Sequence, residues 1–367
     1  MKHNWEYKQW NEVLKIFNGK NQKAVENPNG PYPIYGSGGI MSYADDYICP
    51  ENCTIIGRKG NINNPIFVPT KFWNVDTAFG LCPNDLLQPR YLYYFCQIYD
   101  FEKHNKATTI PSLVKNDLLK ICIPVPPMAT QEQIVAELDQ INDLIAKSRE
   151  LLSQLDALAQ SLFYDTFGDP ISNPKGFTIV PLYNVFSLIT DGTHQTPTYT
   201  TDTENGVKFL SAKDVVNGYI DWTNIKYIPF DLHVELHKRL APQRGDILLC
   251  KNGTTGICAL VETDDIFDIY VSLALLRPKT NTCRKYLVYA INNPFTREQF
   301  NHSLKGIGVP NLHLNKIRAT KIILPPLALQ EDFAAKVEAI EAQKAKVEAE
   351  IAELQTLLDA RMDYWFN

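Results

Sequence analysis

The segment Pro126–Phe167 reappears at Pro325–Phe366, 199 residues further on and without a gap. Pro126-Pro127-Met128-Ala129-Thr130-Gln131-Glu132 becomes Pro325-Pro326-Leu327-Ala328-Leu329-Gln330-Glu331. At the same offset Ile141 falls on Ile340, Leu155 on Leu354, Leu158 on Leu357 and Phe167 on Phe366. A chain with this correspondence is a tandem duplication, and each copy ends in the same long helix.

Each helix carries a narrow apolar seam. In the first copy the seam is Ile134, Leu138, Ile141, Ile145, Leu152 and Leu155; in the second it is Phe333, Val337, Ile340, Val347, Ile351 and Leu354. Apolar residues recurring every seven positions with charged flanks predict a coiled coil. The Pro-Pro pair before each helix sets a clean start, because it favours an extended lead-in. Matching length and register make each helix the natural partner of the other. Lys344 and Arg361 interrupt the second seam and are expected to face a third partner or water.

The net charge of −5 is unevenly distributed. Residues 131–169 hold eight acidic and two basic side chains, and residues 330–367 hold nine and four, a combined −11. The remainder is therefore +6, so acidic rods join mildly basic domains, a distribution compatible with a polyanionic partner. No apolar run follows Met1 and none is long enough to span a bilayer, which predicts a soluble cytoplasmic protein with no membrane partner. The eight cysteines are scattered, favouring reduced thiols over a zinc site at Cys49 and Cys53.

Short β-type runs, tight turns and helical stretches predict an α+β fold with pseudo-two-fold tandem repeats. The divisions are a first domain at 1–125, a spacer helix at 126–169, a second domain at 170–324 and a closing helix at 325–367. Ile110-Pro111-Ser112-Leu113 repeats as Val309-Pro310-Asn311-Leu312. The domain starts also correspond, Trp5–Val13 with Phe177–Val185, at an offset of 172, so the second domain is longer by 27 residues. Duplicated ends around divergent interiors describe one scaffold presenting two surfaces.

Two loops follow predicted strands at corresponding places: Gly57-Arg58-Lys59-Gly60-Asn61 and Lys251-Asn252-Gly253-Thr254. Bases are read by Arg, Lys, Asn and Thr on loops that reach a groove, and phosphates are met by cations. The candidate DNA-binding residues are Lys20, Arg58, Lys59, Asn61, His194, Lys213, Lys251, Asn252 and Thr254, with Arg58 and Lys59 favoured for phosphate. Catalytic signals are lacking. Asn292-Asn293-Pro294-Phe295 lacks the second proline of an aminomethyltransferase loop, and no phosphate-binding Gly-x4-Gly-Lys-Ser/Thr occurs. No His/Asp/Glu cluster suggests a metal centre or an acid–base pair, so neither a catalytic residue nor a bound cofactor is expected.

The chain resembles the specificity subunits of type I restriction–modification systems. The resemblance rests on Ile56-Gly57-Arg58-Lys59-Gly60, Gly306-Ile307-Gly308-Val309-Pro310-Asn311-Leu312, Ile322-Ile323-Leu324-Pro325-Pro326 with Gln330-Glu331, and the twin helices. Thr108-Thr109-Ile110 departs from the Gly306-Ile307-Gly308 pattern. The resemblance implies two target-recognition domains, each reading half of a bipartite duplex site, with antiparallel coiled-coil spacers fixing the gap. It implies two methyltransferase (modification) subunits and motor-nuclease restriction subunits as partners, to which S-adenosylmethionine, ATP and Mg would belong. The rival expectation is a non-catalytic scaffold that organises partners without reading DNA. A helix from Ile134 to Leu162 is a rod of roughly 42 Å, long enough to act as a ruler.

Overall fold

The computed structural model describes residues 5–107, 109–216, 218–304 and 311–366; the Gly306–Pro310 part of the resemblance and Thr108 lie outside them. The chain opens with β1 (Glu6–Gln9), α1 (Trp10–Val13) and β2 (Leu14–Asn18), followed by β3 (Tyr32–Gly36) and β4 (Gly39–Ala44). Then come β5 (Cys53–Gly57), β6 (Ile66–Val68), β7 (Trp73–Asn74), β8 (Ala78–Pro83), α2 (Pro89–Ile98), α3 (Lys115–Leu118), β9 (Cys122–Val125) and the long helix α4 (Met128–Phe167). The central sheet has the order β2-β8-β5-β6, and a second has β4-β3-β7. Strands β5 and β8 are buried on both faces and read as continuous apolar runs. Their alternation feeds two cores: Ile56, Phe79 and Leu81 pack with Tyr91 and Phe95 of α2, while Ile55 and Ala78 join Val68 and Phe72.

The second half repeats the plan: β10 (Thr178–Pro181), β11 (Phe186–Asp191), β12 (Val207–Leu210), β13 (Val215–Val216), β14 (Tyr219–Ile220) and β15 (Lys226–Ile228). After α5 (Phe230–Arg239) come β16 (Ile247–Cys250), β17 (Cys258–Leu260), β18 (Phe267–Ile269) and β19 (Leu273–Pro278). The helices α6 (Arg284–Asn292), α7 (Pro294–Leu304) and α8 (Leu314–Ala319), strand β20 (Lys321–Leu324) and the long helix α9 (Leu327–Phe366) complete it. Sheets β11-β19-β16-β17 and β15-β12-β18 correspond to those of the first half. Alternation again serves two cores, Ile247 and Leu249 to one and Leu248 and Cys250 to the other. The anticipated offsets are realised in the pairing: Glu6 lies opposite Val125 and Thr178 opposite Leu324.

The chain forms two compact units, residues 1–152 with 346–367 and residues 153–345, so each unit contains the start of one long helix and the end of the other. Within the first, Ile134, Leu138, Ile141 and Ile145 pack with Leu358, Met362 and Phe366, and with the partly buried Ile351 and Leu354. Within the second, Phe163 and Phe167 pack with Phe333 and Val337. Glu137 pairs with Arg361 in the first unit; in the second, Asp156 pairs with Lys344 and Phe167 packs on Phe333, so as one number rises the other falls and the helices run antiparallel there. This corrects the expectation for the two seam cations, which meet carboxylates on the facing helix. The Arg361 guanidinium holds the Glu137 carboxyl below its ordinary value, helped by a 3.0 Å hydrogen bond from the Trp365 indole.

The Pro-Pro-x3-Gln motif has a physical role in both units. The Gln131 side-chain oxygen accepts the Gln88 backbone N–H (2.8 Å) at the start of α2, and its amide donates to the carbonyls of Leu86 and Pro126. Gln330 likewise accepts from Cys283 N–H (3.0 Å) at the start of α6 and donates to Pro325. Tyr91 and Tyr286 add equivalent bonds to the carbonyls of Pro124 and Ile323. A buried glutamine thus satisfies backbone groups that a helix terminus leaves open.

One expectation about cysteine fails. Cys53 and Cys82 lie on neighbouring antiparallel strands, 4.6 Å apart at Cα, and are joined as a disulfide. Cys49 is buried beside the Asn74 side chain, and burial pushes its thiol up to about 12. With Cys53 in that disulfide, Cys49 and Cys53 do not supply a pair of free thiols.

Candidate nucleic-acid interface at the strand ends

Strands β2 and β5 both run antiparallel to β8, so their C-terminal ends lie together beside its start. Strands β11 and β16 do the same around β19. Backbone hydrogen bonds match the two sites residue by residue. Arg58 N–H donates to Thr77 and its carbonyl accepts from Leu113; Lys251 N–H donates to Ser272 and its carbonyl accepts from Leu312. Gly60 and Gly253 are then equivalent, with φ of 81° and 73°, and a Cβ at either would meet nothing within 4 Å. Glycine is kept here for the left-handed backbone, not for space.

In the first unit the site is cationic and open. Lys59 and Asn61 are exposed, and so is Lys20, whose carbonyl is held by the Trp73 indole N–H at 3.0 Å. The half-buried Arg58 donates to the Asp76 carbonyl at 3.3 Å and lies over the Phe79 ring. Four of the candidate residues therefore gather at one sheet end.

The second unit differs. Lys251 is not the exposed loop cation that its sequence position suggests: it is 4% exposed and ion-paired at 2.5 Å with Asp191, the last residue of β11. Burial pushes the Asp191 carboxyl up, but the hydrogen bond and charge of Lys251 outweigh it and hold the carboxyl below its ordinary value. Exposed His194 reaches the other Asp191 oxygen at 3.3 Å. Around this pair lies a cleft of about 830 Å³ lined by His194, Asn252, Asn311, His313 and Asn315 among others. Among the described residues, the buried side-chain oxygens of Asn252 and Asn311 have no hydrogen-bond partner, which leaves two unsatisfied acceptors beside the cleft. Thr254 is exposed on the same loop. Lys213 sits elsewhere, after β12, its ammonium committed to Asp214 and the Asn224 carbonyl, each at 3.0 Å. Sequence reasoning missed Asn311, His313 and Asn315; their place within and just past the repeated Pro-x-Leu segment was the available signal.

Asn292 is structural, its amide bonded to both backbone groups of Cys258. The expectation of no His/Asp/Glu cluster is corrected by His233, His237 and Asp268, which the fold brings together; the His-x3-His spacing was its sequence signal. Among the described residues, no helix is long and apolar enough to cross a membrane.

Two equivalent strand-end clusters, one in each unit of a duplicated α+β scaffold, show one structural plan used twice. The chain belongs to the family described as "Type I restriction modification DNA specificity domain", whose model matches residues 2–157 and 174–356. It is 24% identical over 369 residues to the type I restriction enzyme MjaVIII specificity subunit of Methanocaldococcus jannaschii, covering 92% of this chain and 86% of that one. It is 22% identical to a putative type I restriction enzyme specificity subunit of Haemophilus influenzae, over 89% of this chain and 84% of that one. The fold is shared with the crystal structure of a type I restriction–modification S subunit from M. genitalium, at a TM-score of 0.62 and 15% identity over 99% of this chain and 96% of that one.

Proposed function

We propose that this chain is the sequence-reading subunit of a type I restriction–modification complex, each unit recognising one half of a bipartite duplex site. The observation that carries the reading is the residue-by-residue equivalence of two strand-end sites whose side chains differ. One scaffold then meets DNA twice and reads different bases. The first site supplies Arg58, Lys59 and Lys20 for phosphate, with Asn61 at hand for a base edge. The second supplies His194, Asn252 and Thr254, with Lys251 acting through Asp191 to hold the strand ends in place. The antiparallel helices set the gap between half-sites.

The chain performs no catalysis in this reading. Two modification subunits methylate, motor-nuclease subunits cleave, and S-adenosylmethionine, ATP and Mg belong to them; the assembly works in the cytoplasm. At the helix ends Phe163, Phe167, Met362 and Phe366 are buried within their own units, whereas Tyr364 is exposed. The test is selection of a random duplex pool on the purified chain with its modification subunit. Two short defined blocks separated by a fixed unread gap are expected, and retention without sequence preference favours the scaffold alternative.

A further inference from the structure

We propose that His233, His237 and Asp268 form a binding site for a divalent transition metal such as zinc, pinning helix α5 to strand β18. The two histidines are four residues apart on α5 and so share one face. Strand β18 turns Phe267 and Ile269 into the core, while alternation sends Asp268 to the opposite face, against α5. His233 Nδ1 lies 2.7 Å from one Asp268 oxygen and His237 Nδ1 lies 3.4 Å from the other. One donor atom from each of the three residues falls within 4.8 Å of the other two. Ligands at zinc distances of 2.0–2.1 Å in a tetrahedron stand about 3.3 Å apart, so side-chain rotations that open the 2.7 Å contact and close the widest separation by up to about 1.5 Å seat the ion.

The surroundings favour a cation. The Asp268 side chain is 3% exposed, and among the described residues its hydrogen-bond partners are the two imidazoles. A buried carboxylate needs compensating charge, which a bound dication supplies. Two imidazoles and one carboxylate suit zinc or its neighbours and not magnesium or calcium, which take oxygen ligands. The His237 side chain is 32% exposed, which leaves a coordination position facing solvent. On metal binding the Nδ1 lone pairs turn to the ion, and each neutral imidazole carries its proton on Nε2.

Comparison with the first unit points the same way. Val75 N–H bonds Tyr35 as Tyr270 N–H bonds Leu210, and β7 pairs with β3 in parallel as β18 pairs with β12. In this register Trp73 occupies the place of Asp268. The first unit has no helix between β4 and β5 among the described residues, whereas α5 fills the equivalent interval between β15 and β16. The carboxylate therefore occurs where the inserted helix brings two histidines to meet it, and an apolar ring occurs where it does not.

The experiment is titration of the chelator-treated full-length chain with cobalt(II), read by visible absorption. About one ion per chain is expected, with the intense bands of a four- or five-coordinate site that zinc then bleaches. In H237N, a substitution at the most exposed of the three ligands, the bands should vanish while metal-free melting is unchanged; D268N provides a second variant. Wild-type chain without those bands, or H237N with the wild-type spectrum, would overturn the proposal.

Discussion

Arg58 and Lys251 hold the same place in the scaffold, bonded through the same backbone groups to Leu113 and Leu312, yet they do different work. Arg58 is half-buried with no carboxylate partner among the described residues, and the strand residue across from it, Asn18, is exposed. Lys251 is sealed against Asp191, which stands in the place of Asn18. Duplication fixed the backbone of the site and left its chemistry free to diverge. In one unit the cation is available to a ligand, and in the other it has become part of the support.

The strongest way to break that comparison is to remove both cations. Lys251→Ala leaves the buried Asp191 carboxylate without its ammonium partner and should cost about 3–5 kcal/mol of unfolding free energy in the second unit. Arg58→Ala should cost under about 1 kcal/mol, as substitutions outside such features do. Denaturant melts of the two variants decide the matter, and equal losses would erase the distinction. The pair also sets a pH dependence. The Asp191 carboxyl is lowered, so its contribution is present above the ordinary carboxylate value and disappears as pH falls through the lowered one. Wild type should lose stability on acidification over that window more steeply than D191N/K251M.

A test of sameness comes next. Gln131→Ala and Gln330→Ala each open the backbone of a helix start and should destabilise by about 1–3 kcal/mol alike. Unequal costs would show that the repeat is not equivalent at its hinge of helix and sheet. For DNA the asymmetry reverses: Arg58→Ala should weaken binding and reduce the salt slope by about one, as loss of one phosphate contact does. An unchanged slope in a gel-shift series removes Arg58 from the interface. The smallest effects belong to the helix pair, where Arg361→Ala and Lys344→Ala should each cost about 0.2–1 kcal/mol, measured by thermal melts.

The sequence made the shared features legible and the divergent ones obscure. Offsets of 199 and 172 anticipated which strands pair, and the heptad spacing anticipated the seam, because backbone register and apolar periodicity repeat wherever the scaffold does. The same reasoning could not see that Lys251 folds inward. That depends on Asp191, 60 residues away, arriving at the neighbouring strand end. The roles of Lys344 and Arg361 were hidden for a related reason: their partners, Asp156 and Glu137, lie near the other end of an antiparallel helix. Cys53 and Cys82 look unrelated until antiparallel strands set them side by side. His233 and His237 carried a readable spacing, but their third partner sits on a strand past β16 and β17.

The central claim is that two independent readers are held apart by one helical ruler. The unit boundary crosses the helices between residues 152 and 153 and between 345 and 346. Seven residues inserted at both points preserve the apolar seam and lengthen each helix by about 10.5 Å, roughly three base pairs of duplex. Methylation sites mapped in cells carrying this variant with its modification subunit should show both half-sites unchanged and the unread gap longer by about three base pairs. An unchanged gap, or an altered half-site, would contradict the account.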